Sequence, residues 1–195
     1  NITIDVASPE EVALAAVRNR TASENQTLAI QLNATGPEGR MLVFGTDASS
    51  VLPAGPAGFT FNETTGLFTW APTFDDSGTY TVLFNATAGN LTDEERINIT
   101  VLNLNRAPLL LPIAGIAANE SELVEIEVNA SDPDNENNST ADDNNLTALV
   151  NDTRFTVNGS TLAWQTGFED SGVVSVIVAV TDGELNASRE VLVTV

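Results

Sequence analysis

The sequence predicts an all-β protein of two tandem β-sandwich domains, and three observations support this. Apolar and polar residues alternate at period two, as in Ile97-Asn-Ile99-Thr-Val101. Turn residues interrupt these runs about every ten positions, the spacing of short strands in a sandwich. No stretch shows a long, capped helical pattern. Many short strands of this kind pack as two sheets, face to face.

The chain repeats itself. At an offset of 94 residues, Trp70–Val101 matches Trp164–Val195 without a gap, and Asp76-Ser-Gly78 lies opposite Asp170-Ser-Gly172. At an offset of 96 residues, the alternating run 28–33 matches the run 124–129. We therefore predict two copies of one domain. Their expected bounds are residues 11–105 and 106–195.

The two domains are preceded by an extra N-terminal strand. Residues 1–9 look like residues 98–108, the last strand and linker of the first copy, so we predict an extended segment over 1–10. One interpretation assigns it to a preceding domain of a longer array. The other makes it a donor strand that adds to a neighbouring subunit, with Ile2, Ile4 and Val6 filling pockets. Repeated head to tail, that contact gives an open filament.

The ionisable residues exclude several classes of function. The chain has 27 acidic residues and seven arginines, has no lysine, histidine or cysteine, and carries a net charge of −20. Without His or Cys there is no Ser-His or Cys-His pair and no ordinary zinc site, so we expect no enzyme, no catalytic residues and no required cofactor. The acidic surface disfavours nucleic acid as a partner. No apolar run is long enough for direct membrane insertion.

Glycosylation signals are unusually dense. The sequon Asn-x-Ser/Thr marks an acceptor for an N-linked glycan. Ser and Thr are about 18 % of the residues, so chance would give only about four sequons. Sixteen of the 20 asparagines lie in sequons, at Asn1, Asn19, Asn25, Asn33, Asn62, Asn85, Asn90, Asn98, Asn119, Asn129, Asn137, Asn138, Asn145, Asn151, Asn158 and Asn186. We therefore expect an extracellular chain with N-linked glycans at several of these sites.

Further motifs carry a family resemblance. Asp76-Ser-Gly78-Thr-Tyr80 resembles the tyrosine corner of immunoglobulin-like domains, and Gly66-Leu-Phe68-Thr-Trp70-Ala-Pro72 is similar to the immunoglobulin-like and cadherin-like repeats of microbial, above all archaeal, cell-surface proteins. The resemblance covers residues 11–195. It implies two tandem immunoglobulin-like β-sandwich domains with a cell-surface or secreted role. Val174 replaces the corner tyrosine in the second copy.

A calcium site is a further hypothesis. The run 132–143 has oxygen-bearing side chains at positions 1, 3, 5, 7, 9 and 12, the spacing of a loop that wraps Ca²⁺. The resemblance adds Asp182 as a remote carboxylate, so the candidate ligands are Asp132, Asp134, Glu136, Asp143 and Asp182. The alternative is a solvated acidic loop.

Two functions remain. The first is a structural subunit of an extracellular glycoprotein filament or surface coat, self-associating head to tail and polymerised by donor-strand exchange. The alternative is a binding or spacer module from a longer multidomain adhesin. The sequence identifies no external ligand.

Overall fold

The computed structural model describes residues 11–53, 58–134 and 146–195. Within these ranges the protein is all-β, which confirms the predicted fold class. Several predicted features lie outside the described residues: the N-terminal strand with Ile2, Ile4 and Val6, the calcium candidates Glu136 and Asp143, and the sequons at Asn1, Asn137, Asn138 and Asn145. The chain divides into two compact units, residues 1–104 and 105–195.

The described residues of the first domain, 11–53 and 58–104, form nine strands and one short helix. Strand bounds follow the alternating runs and turn signals of the sequence. The strands are β1 (Ala13–Leu14), β2 (Arg20–Ser23), β3 (Leu28–Gln31), β4 (Ala34–Thr35), β5 (Val43–Thr46), β6 (Phe59–Asn62), β7 (Leu67–Trp70), β8 (Gly78–Ala88) and β9 (Leu91–Leu102), and the helix is α1 (Ala48–Val51).

These strands form two sheets and one short ladder. One sheet has the order β2-β9-β8-β5, and the other has the order β3-β7-β6. Strand β2 runs parallel to β9, whereas all other pairs in the domain are antiparallel. Strands β1 and β4 pair separately.

The second domain repeats this arrangement. Its sheets have the orders β11-β18-β17-β14 and β12-β16-β15, its short ladder is β10-β13, and β11 runs parallel to β18. The strands are β10 (Leu109–Leu110), β11 (Ile116–Ala117), β12 (Leu123–Glu127), β13 (Ala130–Ser131), β14 (Thr147–Val150), β15 (Thr156–Asn158), β16 (Thr161–Gln165), β17 (Val173–Thr181) and β18 (Asn186–Thr194).

Each domain encloses its own core. Alternate residues of the long strands point inward, so Val82, Phe84 and Ala86 of β8 are fully buried. Phe68 of β7 is also fully buried, and its ring meets that of Phe84 edge-on at 5.4 Å. The second core is built mainly of β-branched residues, with Val176, Val178 and Val193 fully buried. Such residues fit a pleated, buried surface.

The tyrosine corner is present in the first domain. The Tyr80 hydroxyl donates to the carbonyl of Asp76 at 2.9 Å, and the Tyr80 ring packs edge-on against Trp70 at 5.2 Å. Burial raises the pKa of the Tyr80 hydroxyl, and the nearby carboxylates of Asp76 and Glu24 add to the shift. Val174 has no hydroxyl, so this link does not form in the second domain.

Two hairpins turn on glycines that take a left-handed conformation. Gly89 (φ +68°) and Gly159 (φ +60°) each stand first in a two-residue loop, between the pairs Ala88–Leu91 and Asn158–Thr161. The second loop residue, Asn90 or Ser160, does not have a positive φ, and a positive φ at the first position only is the φ pattern of a type II′ turn. This turn matches the twist of the strands and fixes their register.

Candidate functional site

The sequon asparagines are on the surface of both domains. Eleven of the twelve described sequon asparagines are exposed, and the twelfth, Asn85, is partly exposed on β8. The exposed ones are Asn19, Asn25, Asn33, Asn62, Asn90, Asn98, Asn119, Asn129, Asn151, Asn158 and Asn186. This arrangement leaves the side-chain amides accessible from solvent.

Several of these asparagines form hydrogen bonds through their side-chain oxygen rather than through their side-chain nitrogen. The Oδ1 of Asn62 accepts bonds from the N–H groups of Thr64 and Thr65, and the Oδ1 of Asn151 accepts from the N–H of Ile177 at 2.7 Å. A glycan is attached through the side-chain nitrogen. These hydrogen bonds are therefore compatible with glycosylation and hold the amide in one orientation.

Two sequons lie at hairpin tips. Asn90 follows Gly89 in the β8-β9 turn, and Asn158 precedes Gly159 at the end of β15. Loop tips project furthest from a scaffold and tolerate added groups best. Asn85 is less accessible than these two, because its side chain lies close to Gly45 of the neighbouring strand β5. A Cβ atom added at position 45 would be 2.6 Å from the Asn85 Oδ1.

One predicted calcium residue of the second domain, Asp134, is paired with an arginine, and another, Asp132, is hydrogen-bonded to the backbone of Asp134. The Arg106 Nε lies 2.5 Å from Asp134 Oδ1, its backbone N–H donates to Asp134 Oδ2 at 2.6 Å, and its Nη2 donates to the carbonyl of Pro133 at 2.7 Å. Asp132 Oδ1 accepts the N–H of Asp134 at 2.9 Å. The Asp134 side chain is 2 % exposed. The positive charge next to the Asp134 carboxylate is therefore the guanidinium group of Arg106.

Asp182 is engaged in its own turn. Its Oδ1 accepts the N–H groups of Glu184 and Leu185, and its Oδ2 accepts Asn105 Nδ2 at 3.2 Å. Desolvation alone would raise the pKa of this carboxyl, but the donors outweigh it, so the pKa lies below its ordinary value. Among the described residues, no group of three or more acidic side chains is placed to hold a metal ion.

The matching turn residues Asp76 and Asp170 also have local hydrogen-bond partners. Asp76 Oδ2 accepts the N–H and the hydroxyl of Thr73, and Asp170 Oδ2 accepts the N–H of Gly167 at 2.7 Å. Arg154 approaches Asp170 at 3.7 Å. These contacts are those of turn-stabilising residues.

Glu24 was not singled out from the sequence. Its side chain is fully buried in the first domain, and its Oε2 accepts the N–H of Leu104 at 2.9 Å. Its Oε1 has no hydrogen-bond partner among the described residues. The matching residue of the second domain, Glu120, is exposed. Glu24 was not predicted because its partners, the carbonyl of Leu102 and the N–H of Leu104, are about 80 residues away in the sequence.

Comparison with known protein families supports an immunoglobulin-like fold for the first domain. Residues 11–102 match the model of the Putative Ig domain family. No curated protein matches the chain in sequence. The Ig-like assignment of the second domain rests on the internal repeat and on its strand order.

Solved structures with the same fold include cadherin repeats. Drosophila N-cadherin EC1-4 is 18 % identical with a TM-score of 0.58, over 90 % of this chain and 47 % of that one. PcdhgB3 EC1-4 is 16 % identical with a TM-score of 0.57, over 94 % and 49 %. Human Protocadherin-24 EC1-2 is 12 % identical with a TM-score of 0.57, over 94 % and 97 %.

These similarities establish the fold. The chain spans about half the length of the first two of these structures. In the described part of the chain, none of the helices has the length and apolar character needed to span a membrane.

Proposed function

We propose that this chain is a non-catalytic, N-glycosylated extracellular module of tandem Ig-like domains that acts in adhesion or as a surface spacer and associates with further copies of itself. Its domains are stiff units that hold surface groups at fixed positions. Cadherin and protocadherin structures share its fold, which supports a role outside the cell. A microbial, archaeal source remains a prediction from the sequence.

The observation that carries this proposal is the placement of the sequons. In both domains, the described sequon asparagines point to the surface and none is fully buried. Sixteen of the 20 asparagines lie in sequons, whereas chance would give only about four, which argues that the motif was selected. A coat of glycans makes such a module hydrophilic and shields its backbone from proteases.

We predict glycan occupancy at several of these sites. Protein from a glycosylating host, or from the native source, should carry glycans at the hairpin-tip residues Asn90 and Asn158 and little at Asn85, because of the close contact with Gly45. The measurement is mass spectrometry of intact glycopeptides. Thr92→Ala is the control, since it keeps Asn90 and removes its sequon. Unmodified asparagine at every site would contradict the proposal.

A structural filament subunit is the second candidate function. The match of residues 1–9 to residues 98–108 supports it, because a second copy of the last strand could serve as a donor strand. In the described residues, each domain already builds both of its sheets. The donated strand would therefore pair with a sheet edge, such as the outer side of β5 or β14, rather than fill a gap.

Deleting residues 1–6 tests this candidate. We expect fibres from the full chain in electron microscopy, and only short particles from the truncated chain, while the circular dichroism spectrum keeps its β-sheet form. Ile4→Asp in the intact chain is the matched variant, because it keeps the chain length and places a charge where an apolar side chain would be needed. Fibres from the truncated chain would rule out the donor strand.

Calcium binding also remains a proposal. A Ca²⁺ ion bound by Asp132, Asp134 and Asp182 would have to compete with Arg106 for Asp134 and with backbone donors for Asp182. Calorimetric titration of the purified protein with CaCl₂ tests it.

A further inference from the structure

The hairpin of β15 and β16 contains the one Asn-Gly pair of the chain, Asn158-Gly159. In such a pair, the backbone nitrogen of the glycine can attack the side-chain Cγ of the asparagine and close a five-membered succinimide ring. Glycine permits this approach best, because it has no Cβ to block it. The pair is therefore a candidate for spontaneous loss of the asparagine amide, provided that the fold leaves its atoms accessible.

The fold leaves both residues of the pair open to solvent. Asn158 is exposed at the end of β15, and its side-chain amide has no hydrogen-bond partner among the described residues. A Cβ built on Gly159 would meet no atom within 4 Å. The Ser160 carbonyl accepts the N–H of Val128 at 2.8 Å, whereas the N–H of Gly159 has no acceptor in the described part of the chain. The attacking nitrogen and the amide under attack are both free.

The other glycine hairpin has the two residues in the opposite order. Between β8 and β9 the glycine comes first, so Asn90 is followed by Leu91. The nitrogen that would attack the Asn90 Cγ belongs to Leu91, which carries a side chain and is paired with Ala88 in the ladder. Asn90 and Asn158 are both exposed and both begin sequons. Asn90 is thus an internal reference that lacks the free glycine nitrogen.

We propose that Asn158 is a deamidation site of the folded, unglycosylated chain. The Gly159 nitrogen loses its proton and bonds to the Asn158 Cγ, the bond from Cγ to Nδ2 breaks, and the departing nitrogen takes up the proton and leaves as ammonia. Water then opens the succinimide at one of its carbonyls. Opening at Cγ gives aspartate, and opening at the backbone carbonyl gives isoaspartate. The net reaction consumes water and releases ammonia, with no change of oxidation state.

Isoaspartate changes the hairpin, because the main chain then runs through the side-chain Cβ and Cγ. The backbone gains an atom between Asn158 and Gly159, next to the closing pair Asn158–Thr161. A two-residue turn fixes the register of its strands only at its normal length. Strand β15 is an edge strand of exposed residues. We therefore expect β15 to loosen while the core of the second domain stays folded.

Glycosylation and deamidation compete for one atom. A glycan is attached to Nδ2 of Asn158, which is the nitrogen that deamidation releases, and neither aspartate nor isoaspartate can accept a glycan. A sugar on Nδ2 also crowds Cγ against attack. We expect a glycan at Asn158 to preserve the turn. This protection rests on the proposed function, whereas deamidation of the unglycosylated chain does not.

Incubation of the unglycosylated full chain in warm, mildly alkaline buffer tests the proposal. Peptide mass spectrometry measures conversion of amide to acid at each asparagine, and protein isoaspartate methyltransferase labels isoaspartate. Asn158 should convert at least about tenfold faster than Asn90, and its rate should rise with pH because the Gly159 nitrogen must lose a proton. Asn158→Gln is the matched variant. It keeps an amide but needs a less favourable six-membered ring, so labelling at this position should disappear.

A parallel incubation in urea separates the folded hairpin from the sequence alone. An Asn-Gly pair reacts in any unfolded chain, so conversion in urea is expected whether or not the native turn is open. Conversion at Asn158 that is confined to the urea sample would show that the hairpin protects this residue, and it would overturn the proposal. A native rate that does not exceed that of Asn90 tenfold would overturn it as well.

Ser160→Ala tests protection by the glycan, since it removes the sequon and keeps the Asn158-Gly159 pair. Made in a glycosylating host, this variant should convert at the rate of the unglycosylated chain, whereas glycosylated Asn158 of the wild-type chain should stay unconverted. If the wild-type chain carries no glycan at Asn158, the proposed occupancy of this site fails while deamidation stands. If glycosylated Asn158 converts as fast as the variant, protection is wrong while occupancy stands.

Discussion

Replacing Phe68 with alanine should lower the free energy of unfolding of the first domain by about 3–5 kcal/mol, as expected for loss of a buried aromatic side chain. Phe68 is fully buried in the middle strand of its sheet. Its ring stacks on Phe59 at 5.7 Å and meets Phe84 edge-on at 5.4 Å. Truncation removes both contacts and leaves a cavity that neighbouring strands cannot close.

The measurement is urea unfolding followed by tryptophan fluorescence in a Trp164→Phe background, so that the signal comes from Trp70 alone. Leu67→Ala is the matched control, because Leu67 precedes Phe68 on the same strand and is 40 % exposed. It should cost less than about 1 kcal/mol. Equal losses for the two variants would mean that Phe68 is not part of a packed core.

Replacing Arg106 with glutamine should lower the free energy of unfolding of the second domain by a similar amount, about 3–5 kcal/mol, the usual cost of breaking a buried ion pair. The Asp134 side chain is 2 % exposed and loses its charged partner, while the carbonyl of Pro133 loses the donor Nη2. The loss comes mainly from leaving a negative charge buried without compensation.

Urea unfolding in a Trp70→Phe background, monitored through Trp164, measures this effect. Arg96→Gln is the control, because Arg96 is 59 % exposed and lies 3.5 Å from Asp47; surface pairs of this kind contribute about 0–1 kcal/mol. Adding Asp134→Asn to Arg106→Gln should restore part of the stability. A loss no larger than that of Arg96→Gln would show that Asp134 does not need the guanidinium.

The alternating pattern predicted the fold because it reports directly on burial. In the run Leu28-Ala-Ile30-Gln-Leu32, the large aliphatic residues are buried and the alanine and glutamine between them are exposed. The repeat offset was also informative, since Val82 and Val176 are fully buried at matching positions of β8 and β17. The sequon motif named the candidate asparagines, and the strand pattern predicted that several of them lie on the outward face, where the structure has them.

The contacts that define the candidate sites were harder to predict. Arg106 and Asp134 are 28 residues apart, and the sequence carries no sign that one neutralises the other. The spacing of the acidic residues alone therefore suggested an external cation. Glu24 is buried because residue 104 returns to cover it. Leu149, Ile177 and Leu192 are neighbours on the outward face because three strands pair in this register.

By itself, the sequence determined the all-β class, the two copies, the expected surface asparagines and the exclusion of His- and Cys-based chemistry. Those properties follow from local alternation, self-similarity and composition, which need no knowledge of distant contacts. Only the tertiary structure decided that Arg106 pairs with the Asp134 carboxylate and that the outward apolar residues of β14, β17 and β18 are neighbours. Both depend on strand register, which brings together residues far apart in the chain, and register is fixed by packing of the whole sandwich.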